Sequence, residues 1–184
     1  ANDTLAGTGV QKVIIYYLDA DYLAQTETIS LNGTTPVTTV ATDIIRINGM
    51  HGVQMGSAGF AVGDISLRHL SNAPVYCYLG NGYNTARHGI YTVPANRQGY
   101  ISHFQASVGT ASGSHFTRIF VAATTRNNIL YPSIFLVQDE VDLLNNSSVI
   151  NYPIPIPIPP MCDVKVSAIS DAAGADAYVT AGLM

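Results

Sequence analysis

The run from Tyr152 to Pro160 constrains the fold more than any other part of the sequence, because proline alternates with isoleucine along it. Each proline fixes its own φ angle, lacks an N–H group and forces the preceding residue toward an extended conformation, so the run cannot be helical. In a strand, prolines two residues apart remove hydrogen-bond donors from one edge only. The run therefore predicts a sheet-edge strand or an extended arm that pairs on one side. A polyproline linker is the alternative.

A hairpin turn is predicted at Asn32-Gly33, after the alternating run from Thr26 to Leu31. An Asn-Gly pair accommodates the positive φ angles that a tight hairpin turn demands. A β-branched run follows from Val37 to Val40, and then the alternating segment from Ile44 to Asn48. They suit a pleated, half-buried surface, so two strands are expected to meet at this turn.

Further runs rich in β-branched and aromatic residues recur roughly every 8 to 12 residues, separated by turns rich in glycine and asparagine. The predicted strands cover residues 12–18, 63–68, 75–79, 89–93, 98–108, 115–123 and 131–137, with a loop at 51–60, a hairpin turn at 109–113 and at most a helical turn at 138–144. The spacing predicts an all-β fold, an antiparallel β-sandwich of the jelly-roll type. We expect residues 1–11 to form an extended N-terminal arm and residues 12–184 a single β-sandwich domain.

Charge is scarce in this chain: 11% of its 184 residues are charged, against about a quarter in typical proteins, and the formal net charge is −4. The lysines are Lys12 and Lys165, so no basic patch is available to bind nucleic acid or an anionic membrane. No signal peptide and no apolar run of about 18 residues is present, and we expect a soluble protein made in the cytosol. A mostly neutral polar surface of this kind suits close packing against neighbouring protein molecules.

Histidine is the first residue type to consider for catalysis or metal binding. The five histidines are spread along the chain as His51, His69, His88, His103 and His115. They form no His-x-His pair and no pair at helical spacing. The triplet Ser-His-Phe occurs twice, at Ser102–Phe104 and Ser114–Phe116, and would bring two imidazoles together across the hairpin at 109–113. Chance repetition is the favoured interpretation.

The remaining polar motifs also favour structural interpretations. Asp19 and Asp21 lack the further oxygen ligands of a calcium loop, which favours a solvated turn. The GSAG segment at 56–59 is followed by neither a helix nor a lysine, so it is no phosphate loop. Cys77 and Cys162 are too isolated for a metal site and are interpreted as buried free thiols. We therefore predict no catalytic, cofactor-binding or metal-binding residue, and no enzymatic activity.

Tyrosine is abundant, with eleven residues against no tryptophan. The set includes Tyr76, Tyr78, Tyr83, Tyr91 and Tyr100. Tyrosine rings combine an apolar face with a hydroxyl group, so these residues could form a surface on which sugars stack. The other interpretation places them in the core and at the rim of the sandwich.

Several segments together resemble a family of small structural proteins of tailed-bacteriophage virions, over roughly Lys12 to the end of the chain. The most specific segments are LNGTTPV at Leu31–Val37, GDI at Gly63–Ile65, and IYTVP followed by GYI within Ile90–Ile101. Relatives typically continue the Val-Pro turn with a Gly-Lys sequence, whereas Pro94–Gly99 here reads PANRQG. The resemblance implies a structural role and no catalytic residue.

The resemblance implies a virion protein, and we expect a capsid decoration or cement protein that binds the coat lattice, because nothing fibrous, coiled or repetitive is present. Its partners would be the major capsid protein or other virion proteins and its own copies, as a homo-oligomer such as a trimer. It would be assembled in the host bacterial cytoplasm and would bind neither nucleic acid nor membrane. The alternative is a tail, adaptor or receptor-binding module that recognises carbohydrate through a β-sandwich surface.

Overall fold

The computed structural model describes residues 2–71, 73–109, 116–124, 134–144, 146–170 and 176–183. These residues form twelve β-strands and no helix, so the predicted all-β fold is confirmed. The strands are β1 (Val10–Leu18), β2 (Ala24–Ser30), β3 (Arg46–Met55), β4 (Ile65–Arg68), β5 (Val75–Leu79), β6 (Ile90–Thr92), β7 (Gly99–Gly109), β8 (Phe116–Thr124), β9 (Phe135–Leu144), β10 (Ser147–Ile158), β11 (Asp163–Ser170) and β12 (Asp176–Leu183). The chain divides into two compact units, unit 1 up to His88 and unit 2 from Gly89 onward.

Unit 1 contains two antiparallel sheets with strand orders β2-β1-β3 and β4-β5. In the central strand β1, the buried residues Val13 and Ile15 alternate with the more exposed Ile14 and Tyr16, as a strand with one buried face requires. Strand β5 supplies Cys77 to the same core, so both sheets pack on one apolar cluster. Its buried members are Val10, Val13, Ile15, Tyr17, Ile29, Met50, Ala61, Cys77 and Leu79.

The chain turns at Asn32-Gly33 as predicted, with Gly33 at a φ of 62°, but the predicted hairpin there is wrong. Strand β2 pairs with β1, and β3, which begins at Arg46 and runs through the first half of the expected loop, also pairs with β1. The stretch from Val37 to Val40 is not a strand, because the Glu27 carboxylate accepts the N–H groups of Val40 and Ala41 at 2.8 and 3.1 Å. Side-chain hydrogen bonding therefore replaces strand pairing there.

Residues 2–9, which we call the N-terminal clip, lie in turns against unit 1, with an isolated bridge between Thr4 and Asn32. Asp3 is 7% exposed, and its carboxylate accepts N–H groups from Val10 at 2.8 Å, Val62 at 3.1 Å and Gly63 at 2.7 Å. Within the segment predicted as an extended arm, β1 already begins at Val10. The clip thus joins the first strand to a loop about fifty residues further along the chain.

Unit 2 contains antiparallel sheets with strand orders β10-β7-β12 and β6-β11-β8-β9. Strands β7 and β8 lie in different sheets, so the hairpin predicted between them is wrong, while residues 110–113 of its turn lie outside the described residues. Residues of both sheets share the buried clusters, as Phe104 of β7 and Ile119 of β8 do. The helical turn predicted at 138–144 is also wrong, because pairing with β8 places Leu143 in this core.

The proline run lies in β10 as far as Ile158, at the edge of its sheet, where β10 pairs with β7 among the described strands. The edge-strand prediction is therefore confirmed and the polyproline linker is wrong. Pro157 lies opposite Tyr100 and has no N–H group, so the ladder there uses the N–H groups of Ile156 and Ile158. Residues 152–155 interrupt the ladder and form what we call the proline bulge.

Candidate functional site

The most distinctive exposed surface in the described part of unit 1 is built on β5. Along this strand, Cys77 and Leu79 face the core, so Tyr76 and Tyr78 face outward, and these two side chains are 46% and 49% exposed. Tyr83 follows in the loop and is 48% exposed. We call these three tyrosines, together with the neighbouring Asp64 and Arg87, the tyrosine surface.

The rings of Tyr78 and Tyr83 both lie beside Gly80. A Cβ atom at Gly80 would lie 3.3 Å from Cε1 of Tyr78 and 3.6 Å from Cδ2 of Tyr83, so both rings border the space above this glycine. The loop returns through Gly82, whose φ of 83° favours glycine. The backbone of Ala61 fixes the loop, accepting from Gly82 N–H and donating to the Tyr83 carbonyl, both at 2.8 Å. Tyr83 is therefore held by a hydrogen-bonded turn beside Tyr78, which lies on β5.

Charged groups border the rings. The guanidinium carbon of Arg87 lies 4.5 Å from the ring centroid of Tyr83, within the range of a cation–π contact. Asp64 accepts a hydrogen bond from Tyr78 and one from the Asn81 N–H at 3.0 Å, and these bonds lower the pKa of its carboxyl group. The bond from Tyr78 to Asp64 also raises the pKa of the Tyr78 phenol. At neutral pH Asp64 is therefore a carboxylate and Tyr78 a neutral phenol.

This combination suits non-covalent binding. Tyrosine and arginine are enriched at the centres of protein interfaces, where flat rings bury a large area at low entropic cost. The same rings can stack on the apolar faces of sugars while Asp64 and Arg87 bond to hydroxyl groups. The tyrosine surface thus offers contact area and orientation to a ligand or to another protein.

The histidines are not brought together by the described residues. His51 lies beside Tyr16, with 3.3 Å between Nε2 and the phenol oxygen, and His69 contacts Ser71 at 2.7 Å. His103 contacts Ser102 at 3.2 Å, and burial lowers the pKa of His88. Ser114 and His115 of the second Ser-His-Phe triplet lie outside the described residues. No group of three or more histidine, cysteine, aspartate or glutamate residues that could hold a metal ion occurs in the described ranges.

The other sequence candidates have structural roles. Asp19 closes the turn between β1 and β2, accepting the N–H groups of Asp21 and Leu23 at 3.0 and 2.9 Å, which confirms the turn interpretation. In the GSAG segment, the Gly56 N–H donates to the Gly9 carbonyl at 2.7 Å, and the Ala58 N–H donates to another backbone carbonyl. These amides are therefore not available to bind phosphate.

Both cysteines are buried free thiols, as predicted. Burial raises the pKa of the Cys77 thiol, which keeps it protonated and unreactive at neutral pH. The remaining tyrosine candidates, Tyr91 and Tyr100, lie on β6 and β7 of unit 2. The sequence did not identify Asp64 and Arg87 as members of this surface, because no sequence pattern indicates that either residue lies close to the tyrosines.

Comparison of the chain with protein-family models, with curated proteins and with solved structures finds no match. Across the part of the chain that the structure describes, no helix is long and apolar enough to cross a membrane.

Proposed function

We propose that this chain is a structural protein of a tailed-bacteriophage virion, most directly a capsid decoration or cement protein that binds the coat lattice. Its partners are the major capsid protein or other virion proteins and its own copies. The proposal assigns it no enzymatic activity, no cofactor, no nucleic acid and no membrane. It places the protein in the virion after assembly in the bacterial cytoplasm.

The observation that carries the proposal is the tyrosine surface on a chain with few charges. Three half-exposed phenol rings lie on β5 and the loop that follows it, and 11% of the residues are charged. Such a surface favours packed, hydrogen-bonded contact with a neighbouring protein over long-range electrostatic steering. A protein that stays in permanent contact with other virion proteins needs a contact surface of this kind.

The arrangement of unit 2 supports a β-sandwich as the finer architecture. Its two antiparallel sheets contribute side chains to the same buried clusters, such as Ile101 of β7 with Val121 of β8. Two sheets that bury their inner faces against each other are the basis of sandwich and jelly-roll folds. We propose this arrangement for unit 2, as the scaffold that presents its contact surfaces.

Binding to particles that lack this protein tests the proposal. Wild-type protein is expected to co-sediment with the particles and to remain bound as NaCl rises toward about 1 M, because surface charge pairs are screened at that concentration while neutral contacts persist. The double variant Tyr76→Ala/Tyr78→Ala is expected to bind at least tenfold more weakly.

Two matched variants identify the cause of such a loss. Tyr78→Phe keeps the ring and removes the hydroxyl group that bonds to Asp64, so it is expected to bind like wild type. Tyr91→Ala removes a tyrosine from unit 2 and is expected to have no effect. If salt releases the wild-type protein at concentrations well below those that disrupt the particles, the interface is dominated by charged groups. That result would contradict the proposed neutral interface.

A second candidate function, carbohydrate recognition, is favoured by one specific observation. The two rings beside Gly80 lie next to a carboxylate and a guanidinium, which are the groups that bind sugar hydroxyls. A glycan array separates the two functions. Saturable binding to a defined sugar that is lost in Tyr78→Ala, without binding to particles, would favour a tail, adaptor or receptor-binding module.

A further inference from the structure

The proline bulge is the most exposed apolar feature of β10. Asn151 pairs with His103 and Ile156 pairs with Ile101, so residues 152–155 span the interval that Ser102 alone spans in β7. Ile154 lies within this bulge and is 85% exposed. Covering an isoleucine so exposed on a sheet edge removes apolar surface from water and therefore favours binding of a partner.

The conformation of the bulge is fixed by contacts with neighbouring strands. The ladder with β7 holds it on both sides, at Asn151 and at Ile156. The hydroxyl group of Tyr152 donates a hydrogen bond to Asp139 of β9. Pro153 and Pro155 fix their own φ angles on either side of Ile154. Because the bulge is preorganised by these contacts, it loses little conformational entropy on binding.

The bulge cannot recruit a partner by adding a strand at its prolines. Pro153 and Pro155 have no N–H groups to offer a neighbouring backbone. The exposed side chain of Ile154 and the flanking proline rings are therefore the main contact groups that the bulge offers. Aromatic-lined surfaces are the usual partners of extended proline-containing segments, because the rings pack flat on the proline ring.

We propose that the tyrosine surface of one copy binds the proline bulge of a second copy of this chain. This inference rests on the proposed function, in which the tyrosine surface contacts a neighbouring virion protein, and it names that neighbour. The two surfaces match in chemistry: Pro153, Ile154 and Pro155 offer apolar side chains, and the three half-exposed tyrosine rings that would receive them offer apolar faces.

The two contacting surfaces are different, so the contact is heterologous. Such a contact closes into a ring when the rotation between copies allows it, and a trimer is one such ring. A contact of this size lies below the area of a stable interface and is weak between free copies. On a lattice that holds copies side by side, the effective concentration strengthens it.

Sedimentation equilibrium of the purified chain, without particles, tests the inference. Wild type is expected to associate as its concentration rises toward about 1 mM, the range of a weak contact. Ile154→Asp and Tyr76→Ala/Tyr78→Ala are each expected to weaken association at least tenfold. Val149→Asp, an equally drastic change at another exposed position of β10, is expected to associate like wild type. Unchanged melting temperatures confirm that the variants are folded.

A mixture of the two deficient variants gives the sharpest result. The Ile154→Asp copy retains its tyrosine surface and the tyrosine variant retains its bulge, so one contact can form. The mixture is expected to give complexes of one copy of each variant that do not grow further. Normal association of either variant alone, failure of the mixture to associate, or a wild type that stays monomeric up to about 1 mM would each overturn the inference.

The outcome also separates this inference from the proposed function. If the tyrosine variant loses particle binding while free copies associate normally, the tyrosine surface contacts the coat protein, so the proposed function stands and the inference fails. If the copies associate as expected but wild type binds no particles, the inference stands and the proposed function fails.

Discussion

The N-terminal clip, which precedes and enters β1, and the proline bulge, which lies within β10, are both irregular segments, and they satisfy their backbones in opposite ways. In the clip, one buried carboxylate, that of Asp3, accepts three N–H groups. In the bulge, Pro153 and Pro155 remove the N–H groups that would otherwise need partners. Through these hydrogen bonds the clip connects separate parts of unit 1. The bulge makes no such connection at Ile154, whose side chain is exposed.

The difference predicts where the chain tolerates change. Hydrogen bonds to a buried carboxylate are costly to lose, because the N–H groups left behind lie wholly or partly out of contact with water. Exposed side chains on a proline-fixed bulge can change with little effect on folding. Substitutions in the clip should therefore affect stability, and substitutions in the bulge should affect association.

The largest effect is expected for Asp3→Ala. Three N–H groups, on Val10, Val62 and Gly63, lose their acceptor. We expect the free energy of unfolding of unit 1 to fall by at least about 3 kcal/mol. Denaturant unfolding followed by tyrosine fluorescence measures it, with Asp21→Ala, an exposed aspartate, as the control. A loss below about 1 kcal/mol would show that the clip does not hold the unit together.

A smaller effect is expected for Gly33→Val, at the turn that donates its N–H to the Asp3 carbonyl at 2.9 Å. The φ of 62° is strained for a β-branched residue, at a cost of about 1 to 2 kcal/mol. Gly49→Ala is the control, because its Cβ would meet only an ordinary contact, 3.9 Å from Cδ2 of Tyr16. Equal melting temperatures for wild type and Gly33→Val would mean that the turn does not need a glycine.

The smallest effect on stability is expected in the bulge. Ile154→Asp should change the free energy of unfolding by no more than about 0.5 kcal/mol, because its side chain is already exposed. Thermal unfolding beside wild type measures the change. A loss as large as that of Asp3→Ala would remove the distinction between the two segments.

Amide hydrogen exchange sharpens the same comparison without a mutation. The N–H groups of Ile156 and Ile158 face β7 in the ladder and should exchange slowly. Ile154 lies in the interruption and should exchange quickly. From the sequence alone, alternation of proline and isoleucine predicts protection at all three isoleucines, and the register break at the bulge changes that expectation for Ile154. Rapid exchange at Ile156 and Ile158 would contradict the edge strand.

Features that depend on local chemistry were predictable from the sequence. Alternation identified β5 with its bounds at Val75 and Leu79, and the proline run identified an edge strand. The same alternation places Tyr76 and Tyr78 on the face opposite Cys77, so two of the five residues of the tyrosine surface can be placed from the sequence.

Features that depend on pairing were not predictable. A strand pattern does not state its partner, and both predicted hairpins joined strands that are separate in the structure. Asp64 reaches Tyr78 because β4 pairs with β5, and Arg87 reaches Tyr83 through an irregular loop. Asp3 is likewise separated from Gly63 by most of unit 1. Long-range contacts of this kind have no signal in a single sequence.

Quantitative mass spectrometry of purified phage particles tests the proposed function most directly. A decoration or cement protein that contacts its own copies is expected in every particle, in a fixed ratio to the major capsid protein and at a copy number that reflects the lattice. Photo-cross-linking from position 154 in the same particles is expected to label the peptide that contains Tyr76 and Tyr78 of another copy. Particles that lack the chain, or carry it only in trace and variable amounts, would contradict a structural role in the virion.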